Sequence, residues 1–182
     1  MISFPKGYAD RVARLRVPGG FLLVAAFAWF SRPELASLLW GLPVSLAGLA
    51  LRAWAAGCLA KNQQLATGGP YAYTRNPLYL GTLLVAAGLA VAARSPGLAL
   101  LFVIVFLFVY LPVIQLEEQH LRHIFPGYDA YASQVPVLWP RLTTHSPAAG
   151  CFHWSIYRRN QEYNASLGFA AGLMLLLWKA LR

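Results

Sequence analysis

Two stretches of the sequence carry side chains suited to chemistry. The first, 62–81, reads NQQLATGGPYAYTRNPLYLG and sets Tyr71, Tyr73 and Tyr79 around Arg75. Gly68-Gly69-Pro70 forces a turn. Pro77, after Asn76, suits the first position of a helix, where its missing N–H would have no partner anyway. Backbone N–H groups at such a start can bind an anionic group. The plain alternative is an interfacial belt of tyrosines with an arginine reaching to the headgroups. The second stretch, 115–140, reads QLEEQHLRHIFPGYDAYASQVPVLWP, with Glu117 and Glu118 at the end of a long apolar run. Two acids at a helix C-terminus oppose the macrodipole. The pair therefore points to a polar pocket, where an acid binds a cation or hydroxyl or acts as a base. Marking the point where the helix leaves a membrane is the plain alternative. Neighbouring helical positions are about 100° apart, so one of the two acids is expected to face inward.

Other chemistries have weaker support. His120 and His123 have a metal-compatible spacing, but no third ligand accompanies them. Surface histidines are expected, and no metal. Glu117-x-x-His120 occurs once, half of the paired motif of di-iron bundles. A nucleophile elbow, a phosphate-binding Walker loop, HExxH and GxGxxG are all absent from the sequence, which disfavours a Rossmann nucleotide site. Cys58 lies in an apolar run and is expected as a packed thiol. Neither it nor Cys151 is assigned to a metal site or a disulfide.

The elements that must position these residues are apolar. Of 182 residues, 58% are hydrophobic and 12% charged, about half the charge of a typical soluble domain. The mean hydropathy is +0.52. This composition excludes a disordered chain and disfavours a soluble enzyme. One all-α, polytopic integral membrane domain over 1–182 is expected, with helices at about 17–31, 35–59, 77–93, 97–117 and 165–181. Basic residues precede the first run, as in a signal peptide, but no small-x-small cleavage site follows, so a retained helix is expected. Pro43 should kink the second helix, and Gly41, Gly48 and Gly57 allow close helix approach. Arg52, near its end, either reaches back to the headgroups or anchors an anionic group. The last run either spans the bilayer or lies along its surface.

Fifteen Lys and Arg against six Asp and Glu give a net charge of +9. These basic residues flank apolar runs, which favours a membrane surface over nucleic acid as partner. With the N-terminus cytoplasmic, Lys6, Arg11, Arg14, Arg16, Arg52, Lys61, Arg75, Arg122, Arg141, Arg158 and Arg159 share the inner side. Segments 61–77 and 117–164 then share the cytoplasmic face, where the polar chemistry must lie.

Taken together, Gly69-Pro70-Tyr71, Arg75-Asn76-Pro77-x-Tyr79-x-Gly81, Glu117-Glu118-x-x-Leu121, Tyr128-x-x-Tyr131 and Val135-Pro136 resemble the signature of the isoprenylcysteine carboxyl methyltransferase family. That family belongs to a wider set of small membrane methyltransferases that includes the phospholipid N-methyltransferases. The resemblance covers about 50–140, with the motif region at 62–140.

The resemblance implies an all-helical membrane fold that binds S-adenosylmethionine on its cytoplasmic side and takes a lipophilic methyl acceptor from the bilayer. It implies cofactor contacts at Gln63, Gln64, Leu65, Ala66, Tyr71, Asn76, Pro77, Leu78, Tyr79 and Glu117. Glu118 and Arg75 take the catalytic positions. Arg52 of the second helix, and Arg158 in the basic, aromatic segment 155–163, are the candidates for holding the acceptor. Two departures stand out. Asn76 occupies a position that is usually histidine, and Val113 replaces an arginine that clamps a carboxylate in the enzymes acting on prenylated proteins. The isoprenylcysteine-like carboxylate is thus one acceptor, and a phospholipid amine another. A sterol-type NADPH reductase and a non-catalytic lipid-binding scaffold are the remaining readings. Small size and the lack of a eukaryotic targeting signal point to a bacterial inner membrane.

Overall fold

The computed structural model describes residues 4–143 and 151–182, with only the backbone at 16 and 17. Among these residues the chain is helical and has no strand. The expected helices form, and several run longer than the hydropathy pattern suggests. α1 is Lys6–Phe30 and starts well before the apolar run. It bends by 57° between Lys6–Leu15 and Pro18–Phe30, because Pro18 cannot donate to the preceding turn. The basic residues before the apolar run are therefore helical rather than a flanking tail. The side chain of Arg16, counted with that basic group, lies outside the described residues.

α2 (Leu35–Gly57) continues through Pro43, and α3 (Pro77–Ala93) opens on Pro77 as expected. The two pack at backbone distance. A Cβ on Gly48 would stand 2.6 Å from the Gly81 carbonyl, and one on Gly88 would stand 2.4 Å from the Gly41 carbonyl. Ser45 and Ser37 of α2 donate to the carbonyls of Val85 and Ala92. Small residues and hydroxyls thus replace bulky apolar packing.

α4 (Pro96–Val105), a π-helical turn (Phe106–Tyr110) and α5 (Leu111–Ile124) form one continuous helical run. Pro112 supplies no N–H for the carbonyl of Phe108. The hydroxyl of Tyr8 takes its place at 2.8 Å and ties α1 to this run. The run extends to Ile124, beyond the expected end near 117. Glu117 and Glu118 therefore sit within the helix, and the last turn carries Arg122 and His123, which suit its dipole. The macrodipole argument for the acid pair does not hold. The amphipathic segment after Gln115 prolongs the helix once the apolar stretch has ended.

α6 (Tyr128–Gln134), α7 (Trp154–Arg159) and α8 (Tyr163–Ala180) complete the chain. At the end of the bundle away from the motifs, Lys179 of α8 donates to the Ala28 carbonyl and the Ser31 hydroxyl. Arg94 pairs with Glu34 there, and the Arg32 amide donates to Ala93. A core of Phe27, Leu38, Ala92, Ala93, Leu98 and Leu176 fills this end. Among the described residues, 35–57 and 96–124 are long and apolar enough to cross a membrane, or three segments if the bent α1 counts as one.

The cysteines depart from expectation. Cys58 and Cys151 form a disulfide. The apolar setting of Cys58 suggested an isolated thiol, but the fold returns the chain to the end of α2 and brings Cys151 against it.

Candidate functional site

The opposite end of the bundle holds an open cavity of about 950 Å³. Its walls come from the end of α2, the loop after it, the starts of α3 and α6, α5, and the α7–α8 junction. The turn Gly69–Ala72 is buried. It delivers Tyr71 to the wall, where the Tyr71 carbonyl accepts the Tyr131 hydroxyl at 2.8 Å. Residues 73–76 are pinned by the chain after α6. The Arg75 amide donates to Pro136 and the Arg141 amide to Tyr73, while Thr74 donates to Val137 and Leu138. The side-chain amide of Asn76 donates to the Val137 carbonyl at 3.0 Å, so Asn76 holds the loop while lining the cavity.

Gln64, Leu65, Ala66, Tyr71, Asn76, Pro77, Leu78, Tyr79, Glu117, Arg75 and Arg52 all line the cavity. Gln63 is exposed and does not line it. Arg158 is exposed on α7 and is likewise not brought to it. Glu118 is buried behind the wall, 3.1 Å from Arg75, with side-chain exposures of 10% for the arginine and 6% for the acid. Glu117 instead faces the cavity and accepts the Tyr79 hydroxyl at 2.7 Å. The adjacent acids thus divide: one carboxylate meets the cavity, the other a buried cation.

Arg52 does not reach back to headgroups. It bonds Glu162 at 2.6 Å, the Leu78 carbonyl at 3.3 Å and the Thr82 hydroxyl. Glu162 and Asn160, from the basic, aromatic segment 155–163, also line the cavity. His120 is exposed, as expected of a surface residue, and also borders the cavity, as does Tyr110 from the π-helical turn. That turn edges a site, as such irregularities often do.

Burial is the main cause of the tyrosines' perturbed acidity. It pushes the Tyr71 and Tyr131 hydroxyls well above the ordinary range, with neighbouring tyrosines adding to the shift. Tyr128 is pushed up to about 12 by burial and by Glu118, partly offset by Arg75. These hydroxyls stay protonated, and that of Tyr131 donates to the Tyr71 carbonyl. Among the described residues, no group of three or more His, Cys, Asp or Glu side chains is placed to hold a metal ion.

A helical bundle with segments long and apolar enough to cross a membrane, and with a cavity at one end, is the architecture of a membrane protein. Residues 40–127 match the phospholipid methyltransferase family. The chain is 34% identical over 122 residues to the cobalt-zinc-cadmium resistance protein CzcN of Cupriavidus metallidurans, covering 65% of this chain and 56% of the relative. It is 31% identical over 135 residues to the nickel-cobalt-cadmium resistance protein NccN of Alcaligenes xylosoxydans xylosoxydans, covering 72% and 62%. The matches therefore span less than two thirds of either relative. No solved structure matches the chain.

Proposed function

We propose that the chain is an S-adenosylmethionine-dependent methyltransferase acting on a lipidic acceptor. The observation that carries this reading is Glu117. Among the described residues this cavity-facing carboxylate forms no ion pair with a basic side chain, and it takes the Tyr79 hydroxyl. A carboxylate beside tyrosine faces suits a cationic ligand such as a sulfonium. When bound, the cofactor supplies an electrophilic methyl group. Glu117, Tyr79 and Tyr110 would hold its positive portion, and Gln64, Leu65 and Ala66 its ribose and base. Arg75, kept in place by Glu118, would orient the acceptor. Desolvation within the cavity would do much of the remaining work.

The acceptor is either a carboxylate, as in an isoprenylcysteine-like lipid, or a phospholipid amine. Arg52 and Arg75 of the cavity wall are already paired, Arg52 with Glu162 and Arg75 with Glu118. This favours the amine, which must lose a proton before attack. His120 on the same wall can take it.

The same reading places α1, α2, α3, the 96–124 run and α8 as five spans, with the cavity on the cytoplasmic face of a bacterial inner membrane. The distribution of basic residues supports this orientation. Lys179, at the far end of α8, meets the end of α1, which supports a full crossing for α8. A role in metal resistance, taken from the relatives' names, would act through the modified acceptor.

Titration of detergent-solubilised protein with S-adenosylmethionine, with NADPH as control, tests the reading. Binding that Glu117→Gln and Tyr79→Ala abolish is expected. No binding by folded protein would overturn it. NADPH binding would instead favour the reductase, and binding of neither the lipid scaffold. Transfer of a labelled methyl group then separates acceptors, since an ester releases methanol in base and a methylated amine does not.

A further inference from the structure

We infer that Cys58 and Cys151 form a thiol–disulfide modification site that tightens or loosens the wall of the cavity. The two sulfurs are bonded. Cys58 is buried at the end of α2, and Cys151 is partly exposed at the start of the segment 151–162. This segment lies as a strap across the end of α2. His153 donates its amide to the Gly57 carbonyl at 2.9 Å. The Asn160 side chain donates to the carbonyls of Ala56 and Leu59 at 2.8 and 2.9 Å. Glu162 closes the strap on Arg52 at 2.6 Å.

The disulfide seats against Gly69. A Cβ there would stand 2.5 Å from the Cys151 sulfur and 2.9 Å from that of Cys58, and the backbone φ is +57°. Glycine is needed twice over, for the left-handed conformation and for the close sulfurs. Gly69 opens the turn that carries Tyr71. Ala56, Leu59, Tyr71, Asn160 and Glu162 all line the cavity. One covalent bond therefore clamps together three of the elements that form the wall.

A dithiol reductant would pass two electrons and two protons to the S–S bond. The products are two protein thiols and the reductant's own disulfide. Asn160 and Glu162 would still tether the far end of the strap, so the chain would stay folded. Its near end would keep only the His153–Gly57 hydrogen bond, and the Gly69 turn beneath it would lose the covalent clamp. Opening of this kind is local, not global. Bonded, the wall is organised for ligand; reduced, the competent state is a smaller fraction of the population and apparent affinity falls with it.

Hydrogen exchange on the 182-residue protein, without ligand, provides the first test. Reduction should speed exchange at 69–72 and 151–157 and leave the α2–α3 contact unchanged. The Cys58→Ser/Cys151→Ser protein should match the reduced protein and ignore reductant. The second measurement rests on the methyltransferase reading: S-adenosylmethionine affinity should weaken by about fivefold or more on reduction. Changed exchange without any cofactor binding would keep this inference and sink the cofactor. Unchanged exchange at 69–72, with reduction verified by mass, would overturn it. So would alkylation of membranes showing both thiols free under oxidising as well as reducing conditions.

Discussion

Arg75 and Glu118 meet at 3.1 Å with almost no solvent on either side chain, yet only the arginine reaches the cavity wall. The pairing joins the start of α3 to the middle of α5, the two elements that carry the motif residues. Tyr128 lies close enough to feel both charges. The guanidinium at the cavity wall is held in direction by the acid behind it.

Removing that acid alone should be costly. Glu118→Ala leaves Arg75 buried without its counter-charge, a loss of roughly 3–5 kcal/mol. Replacing both by apolar residues, Arg75→Met with Glu118→Leu, should recover most of the stability but not ligand binding. Thermal unfolding in detergent checks the first expectation. A single Glu118→Ala protein as stable as the parent would contradict it.

The α2–α3 contact should resist added bulk. Gly88→Ala would bring a methyl 2.3 Å from the Ser45 hydroxyl and 2.4 Å from the Gly41 carbonyl. The carbonyl is backbone, so the helices must separate, at a cost of about 1–3 kcal/mol or more. Gly172→Ala on α8, where a Cβ meets nothing within 4 Å, is the control and should be neutral or slightly stabilising. Comparison of their unfolding midpoints tests the contrast.

Much of this arrangement is legible in the sequence because it is local. Asn76-Pro77 starts α3, and the Arg94-Ser95-Pro96 turn ends it and opens α4. Glycine spacing along α2 announces its close partner. What escapes is non-local or amphipathic. The N-terminal half of α1 is too basic to register in hydropathy, although Ala9 is fully buried. Residues 117–124 look like an exit from the membrane, because a helix that turns amphipathic loses its apolar signal. The pairing of Arg52 with Glu162 and of Cys58 with Cys151 depends on where the last third of the chain returns, and no spacing rule contains that.

Asn76 should behave as a holder of the loop. Its amide donates to Val137, a role that one ring N–H of histidine can also fill. Asn76→Leu removes one of the two donors to the Val137 carbonyl, Thr74 keeping the other, and should lose about 1 kcal/mol. Asn76→His should retain most of the stability. Equal midpoints for the leucine variant and the parent would show that the hydrogen bond holds nothing.

Alkaline pH should weaken the fold through the buried tyrosines. Tyr128 has an ordinary hydroxyl value of 10.0 when unfolded and about 12 in the fold, chiefly because burial penalises the phenolate. Below pH 10 the hydroxyl is neutral in both states, and its contribution to stability is fully present. As pH rises above 10, the unfolded chain ionises first and gains relative to the folded one. The contribution is lost progressively up to about pH 12, where the folded hydroxyl ionises as well. Tyr71 and Tyr131 are shifted in the same direction and deepen the decline. Tyr128→Phe removes one of the three titrating groups. Its unfolding midpoint should therefore fall less steeply with pH above 10 than that of the parent. Parallel slopes for the two proteins would mean that Tyr128 is not kept neutral by its burial beside Glu118, and the packing assigned to the start of α6 would have to be revised.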